Sequence, residues 1–347
     1  MSKESQHMEE VSVIVPVRDR AEIVCSALDS VRAQTYRPLH LIVVDNASSD
    51  ATAEVAEAWR SSAMTDDFRV TIVSEPHPGA SAARNRGLQV ATSRKVMFFD
   101  SDDRMCPDLV ERAMGAFRTG AKDCRLVFWR HRLTMLDGAV RISHFPGRDI
   151  LGCHLIHSFL NTSCFLADRE LIAEAGGWDA SLPAWNDYEL GIRLLMRVSG
   201  DAARTESCRW GDAVGIDAVL HDMFAQRKSI TGTRFSEKEG EWEKSLRKVE
   251  SDVTESGYAD KARLLRMLDY RRAVLAAHYR REGNAEGARR LLESVLADGR
   301  NGLWRGMVLR FVYSYTALGL RGAWAVVTVC GALPTLRRFW RRIRKMS

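Results

Sequence analysis

A chain of 347 residues, 46% apolar and 28% charged, has room for one large domain with an appendage and the composition of a globular protein rather than a disordered one. Its seven cysteines are scattered, odd in number and without a CxxC pair, which indicates neither a disulfide framework nor a zinc ribbon and fits a reducing compartment. The net charge of +6 is segregated: after Asp298 there are ten basic residues and no acidic one, against 41 basic and 45 acidic residues before, so the tail calls for an anionic partner.

Met1 to Glu10 is polar and lacks an apolar core segment, so no secretory signal is expected. Val11 to Val17 is β-branched and nearly continuous, the pattern of a buried parallel strand. Helical spacing follows from Arg18 to Arg32 (Ile23, Ala27, Leu28, Val31). Leu41 to Val44 predicts a second buried strand, closed by the turn and cap cluster Asp45-Asn-Ala-Ser-Ser-Asp50. A helix over Ala51 to Arg60, a strand over Val70 to Val73, a helix over Ala80 to Val90, a strand over Lys95 to Phe99 and a helix over Pro107 to Arg118 come next. Strands alternating with helices predict a parallel, doubly wound sheet. From about 125 to 235 the pattern is less regular, with strands expected at Leu126 to Trp129 and Ser163 to Leu166. A short helix is expected over Arg169 to Ala175, a turn at Gly176-Gly177-Trp178-Asp179 and a helix over Asp187 to Val198. Beyond Thr233 charged helix-forming sequence runs from Ser236 to Ser251, and Lys261 to Arg281 with Ala285 to Ala297 predict a helical hairpin joined at Gly283-Asn284. The hairpin resembles one tetratricopeptide unit, but a single repeat makes no solenoid.

The most informative stretch is Val96-Met97-Phe98-Phe99-Asp100-Ser101-Asp102-Asp103, an apolar strand that ends in three carboxylates. Unpaired carboxylates are costly to bury, so they belong at the exposed C-terminal edge of the strand, where open α/β sheets bind ligands. Clustered carboxylate oxygens there suit a hard divalent cation that holds phosphates; the competing use is a helix cap with extra acid in its first turn.

Three further pieces precede it in order: Val13-Ile-Val-Pro-Val-Arg-Asp19, Val43-Val-Asp45-Asn-Ala-Ser-Ser-Asp50 and Gly79-Ala-Ser-Ala-Ala-Arg84-Asn85-Arg-Gly87. A fifth follows, Gly176-Gly-Trp-Asp179 with Trp185-Asn186-Asp187-Tyr188-Glu189-Leu190. Together they resemble the inverting family 2 glycosyltransferases, which implies the GT-A fold, a mostly parallel sheet flanked by helices, here with a C-terminal helical extension. The resemblance implies contacts to a nucleotide-sugar donor, a UDP-sugar, from Pro16, Val17 and Arg18. It puts Asp45 on the uracil ring, where a carboxylate accepts from an imide N–H, and Arg84 on the base or a phosphate. Asp100 is expected on the ribose hydroxyls, Asp102 on Mn2+ or Mg2+, and Asp103 as a brace or a partner of metal-bound water. Asn85 is expected to hold loops together. Asp187 matches the general base, although Asn186 stands where the family carries Glu, and Glu189 is a spare carboxylate nearby. His221 is expected to complete the metal or diphosphate site, with Arg227 and Lys228 on a loop closing over the diphosphate. The pair His154 and His157 has metal-like spacing but no evident third ligand, so a core or acceptor-groove role is expected.

The domains are therefore expected at 10–235 (transferase), 236–300 (helical hairpin) and 301–347 (an apolar and basic tail). Between Arg321 and Arg337 lie about fifteen uncharged residues, short of the ~20 that span a bilayer. Arg337-Arg-Phe-Trp-Arg-Arg-Ile-Arg-Lys345 interleaves arginine with aromatic residues, the form of an interfacial anchor. The expected reaction is transfer of a sugar to a hydroxyl of a glycan or lipid-linked acceptor in surface polysaccharide synthesis, by a cytoplasmic enzyme peripheral on the inner face of the cell membrane. Nucleic acid is not expected as a partner, because basic residues are sparse in the body and no reading motif occurs. Two alternatives have distinct signatures. A nucleotidyltransferase calls for a Gly-rich basic loop after the first strand, where this chain has Val17-Arg18-Asp19-Arg20; a non-catalytic membrane-bound relative calls for lost carboxylates, whereas Asp100, Asp102 and Asp187 are present.

Overall fold

The structure, a computed structural model, describes residues 8–120, 123–199, 208–226, 234–320 and 322–323. The chain separates into two compact units, Met1–Thr231 and Gly232–Ser347. The first opens with β1 (Val11–Val17), α1 (Val24–Arg32), β2 (Leu39–Asp45), α2 (Thr52–Ala63), β3 (Phe68–Ser74), α3 (Ala80–Val90) and β4 (Lys95–Phe98). It continues with β5 (Arg104–Met105), α4 (Leu109–Thr119), β6 (Leu126–Thr134), β7 (Val140–Ile142), α5 (Ile150–His157), β8 (Phe165–Asp168) and α6 (Arg169–Glu174). It closes with α7 (Asn186–Ser199), β9 (Arg209–Trp210) and β10 (Ala213–Phe224).

One sheet runs β3-β2-β1-β4-β8-β6-β10-β5, with β7 beside β6 and β9 beside β10. The first four strands are parallel and in register, Val17 opposite Asp45 and Asp45 opposite Ser74, so their C-terminal ends form one rim. Pro16 lies inside β1 without breaking it. β1 pairs with β4 only from Val11 to Ile14, so the N–H that proline lacks falls past the end of β4. The sheet is mostly parallel, as expected; the parallel run ends at β8, which enters antiparallel to both β4 and β6. Its four residues are all buried, so burial alone does not reveal strand direction. The six described cysteines are all free.

Alternate residues of β1 face two layers. Val11, Val13, Val15 and Val17 join Leu28 and Val31 of α1 and Leu109 and Ala113 of α4 in one apolar cluster. On the other face α3 lies close against the sheet. A Cβ on Gly87 would stand 2.3 Å from Ile14 Cγ2 and 3.2 Å from Val44 Cγ2. That close approach sets the height of α3, and with it the position of Arg84 and Asn85 above the rim.

The second unit holds α8 (Glu239–Glu255), α9 (Lys261–Arg281), α10 (Ala285–Ala297) and α11 (Leu303–Ala317). α9 is the central helix and packs against the other three. The expected turn between α9 and α10 has Gly283 at φ +97°, and Asn284 caps α10 by accepting from Gly287 N at 2.8 Å. Asp269 of α9 is fully buried, pairs with Arg272 at 3.3 Å and accepts from Asn301 Nδ2 at 2.7 Å. This ties the α10–α11 connection to α9. The expected anchor segment Arg337 to Lys345 lies outside the described residues.

Gly87→Ala is expected to lower stability by about 1–3 kcal/mol through overpacking, read as a lower urea midpoint. Combined with Ile14→Ala, the loss should be smaller than the sum of the two single losses. An unshifted midpoint would show that α3 lifts off the sheet without cost.

Candidate active site at the C-terminal rim of the sheet

The loops leaving β1, β2 and β3 are stitched together by side chains. Asp19, at φ +50°, accepts from Ser49 N at 2.7 Å and Ser49 Oγ at 3.0 Å, and Ser48 Oγ accepts from Asp19 N. Thr52 Oγ1 accepts from Arg20 N at 2.7 Å, and Asp50 from Ala21 N at 3.2 Å. The Ser49 backbone bond, followed by the Ser49 hydroxyl, holds the Asp19 carboxyl below its ordinary value. Asn46 donates to Glu75 O and His77 O and accepts from Gly79 N, locking the end of β2 to the entry of α3. Asp19 and Asn46 were not singled out in the sequence. Both follow strand ends directly, and that position was the available signal.

Val17 is turned into the core and its carbonyl accepts from Asn46 N at 2.8 Å, so its side chain does not reach a ligand as expected. Pro16 is half-buried beside it, and Arg18 is exposed and 3.8 Å from Asp19. Asp45 ends β2 with Oδ1 buried and without a partner among the described residues. An unmet buried acceptor costs about 1–3 kcal/mol, and a ligand N–H would relieve it.

The three carboxylates after β4 occupy different environments. Asp100 accepts from Arg84 Nη2 at 2.8 Å, and its own N–H donates to Ser163 Oγ at 3.1 Å. Ser163 Oγ in turn donates to Asp103 Oδ2 at 2.9 Å. Asp103 is buried, and desolvation, then the charges of Asp100 and Asp102, push its carboxyl well above the ordinary value. Asp103 is thus a brace, acting through Ser163, a residue the sequence pattern did not flag. Asp102 faces Arg20 at 3.8 Å. Desolvation, then Asp100, raise its carboxyl, and Arg20 and Arg84 oppose the rise. A hard oxygen donor amid surplus negative charge fits a divalent cation.

Arg84 does not stand free to stack on a base. It is 5% exposed, lies 4.4 Å over the Trp178 ring and reaches Asn186 Oδ1 at 3.4 Å. Asn85 accepts from Trp178 N at 2.9 Å and donates to Trp178 O at 2.8 Å, holding the turn in which Gly176 and Gly177 take φ of +88° and +68°. Arg84 and Asn85 therefore bind the segment before α7 to the end of β4.

Asp187 opens α7, half-buried, and accepts from Tyr188 N at 2.8 Å. Burial raises its carboxyl above the ordinary value and the Arg84 charge opposes that rise. Glu189 is not a spare base: it is fully buried and both its oxygens are held by Arg193, one at 2.6 Å. Helical geometry turns it toward the core while Asp187 stays at the rim.

His221 does not join Asp102. It pairs across β5 with Met105 and across β6 with His131, which buries its ring against Phe99 and His131. Trp129 Nε1 donates to its Nδ1 at 3.1 Å, and desolvation keeps it neutral. His131, Cys164 and His221 bring ligand atoms within 4.8 Å of one another. The Trp129 bond leaves the His221 proton on Nε2, however, and burial holds the Cys164 thiol protonated and the His131 ring neutral. The trio reads as a neutral polar cluster in the core. His154 also belongs to the core, its Nε2 beside Tyr188 O and its Nδ1 accepting from Leu160 N, and His157 stacks on His144. Arg227 and Lys228 lie outside the described residues.

Comparison with known proteins agrees with this architecture. The family model described as glycosyl transferase family 2 matches residues 12–173. The amylovoran biosynthesis glycosyltransferase AmsB of Erwinia amylovora is 28% identical over 52% of this chain, and the chain spans 62% of its length. Among solved structures, S. aureus TarS 1–349 in complex with UDP-GlcNAc aligns with a TM-score of 0.65 at 14% identity, covering 90% of this chain and 92% of that one. The mannosyltransferase PcManGT from Pyrobaculum calidifontis, in complex with GDP-Man and Mn2+, aligns with a TM-score of 0.52 at 17% identity, covering 90% and 88%. The rim at the ends of four parallel strands, with the carboxylates after β4, thus lies on the GT-A fold, and residues 12–173, which build most of it, are similar to glycosyl transferase family 2.

Proposed function

We propose that the chain is an inverting glycosyltransferase that moves a sugar from a UDP-sugar to a hydroxyl of a glycan or lipid-linked acceptor in surface polysaccharide synthesis. The observation that carries this reading is the convergence at one rim of Asp45, with its unmet buried acceptor, of Asp100 and Asp102, and of Asp187, which follows Asn186, the residue that Arg84 holds together with Asp100. Asp45 accepts from the imide N–H of the base, and the Asp100 oxygens left free by Arg84 accept from ribose hydroxyls. A divalent cation, Mn2+ or Mg2+, would be held by Asp102 and supplies neutralising charge to the diphosphate. Arg20, released from Asp102, is placed to pair with a phosphate oxygen.

Transfer with inversion is a single displacement. The acceptor oxygen bonds to the anomeric carbon, its proton passes to Asp187, and the bond from that carbon to the phosphate oxygen breaks, releasing the nucleoside diphosphate. Asp187 works only when ionised. Its burial disfavours the charge, and Arg84 offsets the penalty through the field it shares with Asp100. AmsB is named for amylovoran biosynthesis, which supports a polysaccharide acceptor here.

Asp187→Asn is expected to lower kcat by at least ~10²-fold while UDP affinity measured by calorimetry stays at the wild-type value; full activity would remove Asp187 from the base role. Arg84→Met raises the carboxyl of Asp187, so the acidic limb of kcat against pH should move to higher pH; an unmoved limb would show that Arg84 is no counter-ion to the base. In a thermal-shift screen of nucleotides with Mn2+, UDP should stabilise the protein more than GDP. Asp45→Ala should remove that preference and Asp102→Ala the metal dependence, whereas stabilisation by GDP alone would overturn the uridine assignment.

A further inference from the structure

α11 is apolar on two faces. One holds Leu309 and Val312, both buried, on the side where the helix packs on α9. The other holds Trp304, Met307 and Phe311, exposed by 58%, 56% and 45%, with Leu303 at 93% and the C-cap residue Leu318 at 77%. Steps of three, four and seven residues from Trp304 to Met307, Phe311 and Leu318 put these side chains on one stripe of the helix. Six of the twelve large apolar side chains exposed among the described residues fall between 303 and 320. A contiguous stripe of this kind marks an interaction surface, whereas the scattered remainder needs no explanation.

The partner is indicated by charge. Arg305 and Arg310 lie on the same helix, and no acidic residue occurs after Asp298. Trp and Phe with flanking arginines and no carboxylate are the composition of a helix that lies in the headgroup region of an anionic bilayer. Spanning is a separate matter: among the described residues no helix is long and apolar enough to cross a membrane. Asp269, Arg272 and Asn301 clamp the start of α11 to α9, so the stripe is presented by a fixed helix.

We propose that the exposed stripe of α11 docks on an anionic lipid surface and holds the enzyme in the membrane plane. α11 precedes the segment Arg337 to Lys345 in the chain, and its proposed use is independent of donor chemistry at the rim.

The test is flotation of the full chain with phosphatidylcholine vesicles, with and without phosphatidylglycerol. Wild type is expected to float with the anionic vesicles and to be released by salt. The triple variant Trp304→Glu, Met307→Glu, Phe311→Glu should lose about tenfold or more of that binding, with melting temperature and UDP binding unchanged. Met64→Glu with Leu136→Glu, exposed apolar sites elsewhere, should leave flotation intact. Wild-type flotation by the triple variant would overturn the proposal, as would a wild type that does not float. So would a variant that melts earlier, which makes the stripe internal packing, or one that turns a dimer into a monomer by light scattering, which makes it an interface between copies. Loss of UDP binding in Asp45→Ala with flotation retained separates failure at the rim from failure at this face.

Discussion

The rim depends on one buried guanidinium. Arg84 carries a full charge at 5% exposure, and three groups make that tolerable: the Asp100 carboxylate, the Asn186 amide and the face of Trp178. Leaving the buried Arg84 charge without Asp100, which is itself 29% exposed, is costly, because a buried charge needs a partner. The end of β4, the helix α3 and the entry of α7 are therefore held in one arrangement. The proposed donor site and the proposed base lie on different elements, more than eighty residues apart in sequence, and Arg84 is what they share. Asn186, neutral, suits this role: a second carboxylate there would compete with Asp100 for the same cation and add charge beside Asp187.

Around this centre the loops are fixed by short polar residues more than by apolar packing. Asp19 with Ser49, Asn46 with Gly79 and Ser163 with Asp103 each satisfy backbone groups that strand ends leave open. The result is a polar crevice whose walls are already bonded to one another, and Asp45 Oδ1 keeps an acceptor unmet. A preorganised site of this kind needs little rearrangement to receive the proposed nucleotide.

Much of the fold was legible in the sequence because it rests on local periodicity. The strands β1 to β4 and the helices between them followed from β-branched runs and helical spacing, and α9 and α10 matched to the residue. The antiparallel entry of β8 was not legible, since a buried four-residue strand reads the same in either direction. Nor was the short pairing of β5 with β10, which carries His221 away from Asp102 and into the core beside His131.

The sequence by itself determined which residue types stand at the strand ends, and so the chemistry on offer: carboxylates after β2 and β4, and a carboxylate opening α7. Those assignments depend on chain order and local pattern, which a sequence contains in full. Only the tertiary structure decided which of those groups face one another. It turned Arg84 inward onto Trp178, gave Glu189 to Arg193, made Asp103 a brace through Ser163 and left a stripe of α11 exposed among the described residues. Each of these outcomes is a contact between residues far apart in the chain, or the lack of one, and no local pattern encodes it.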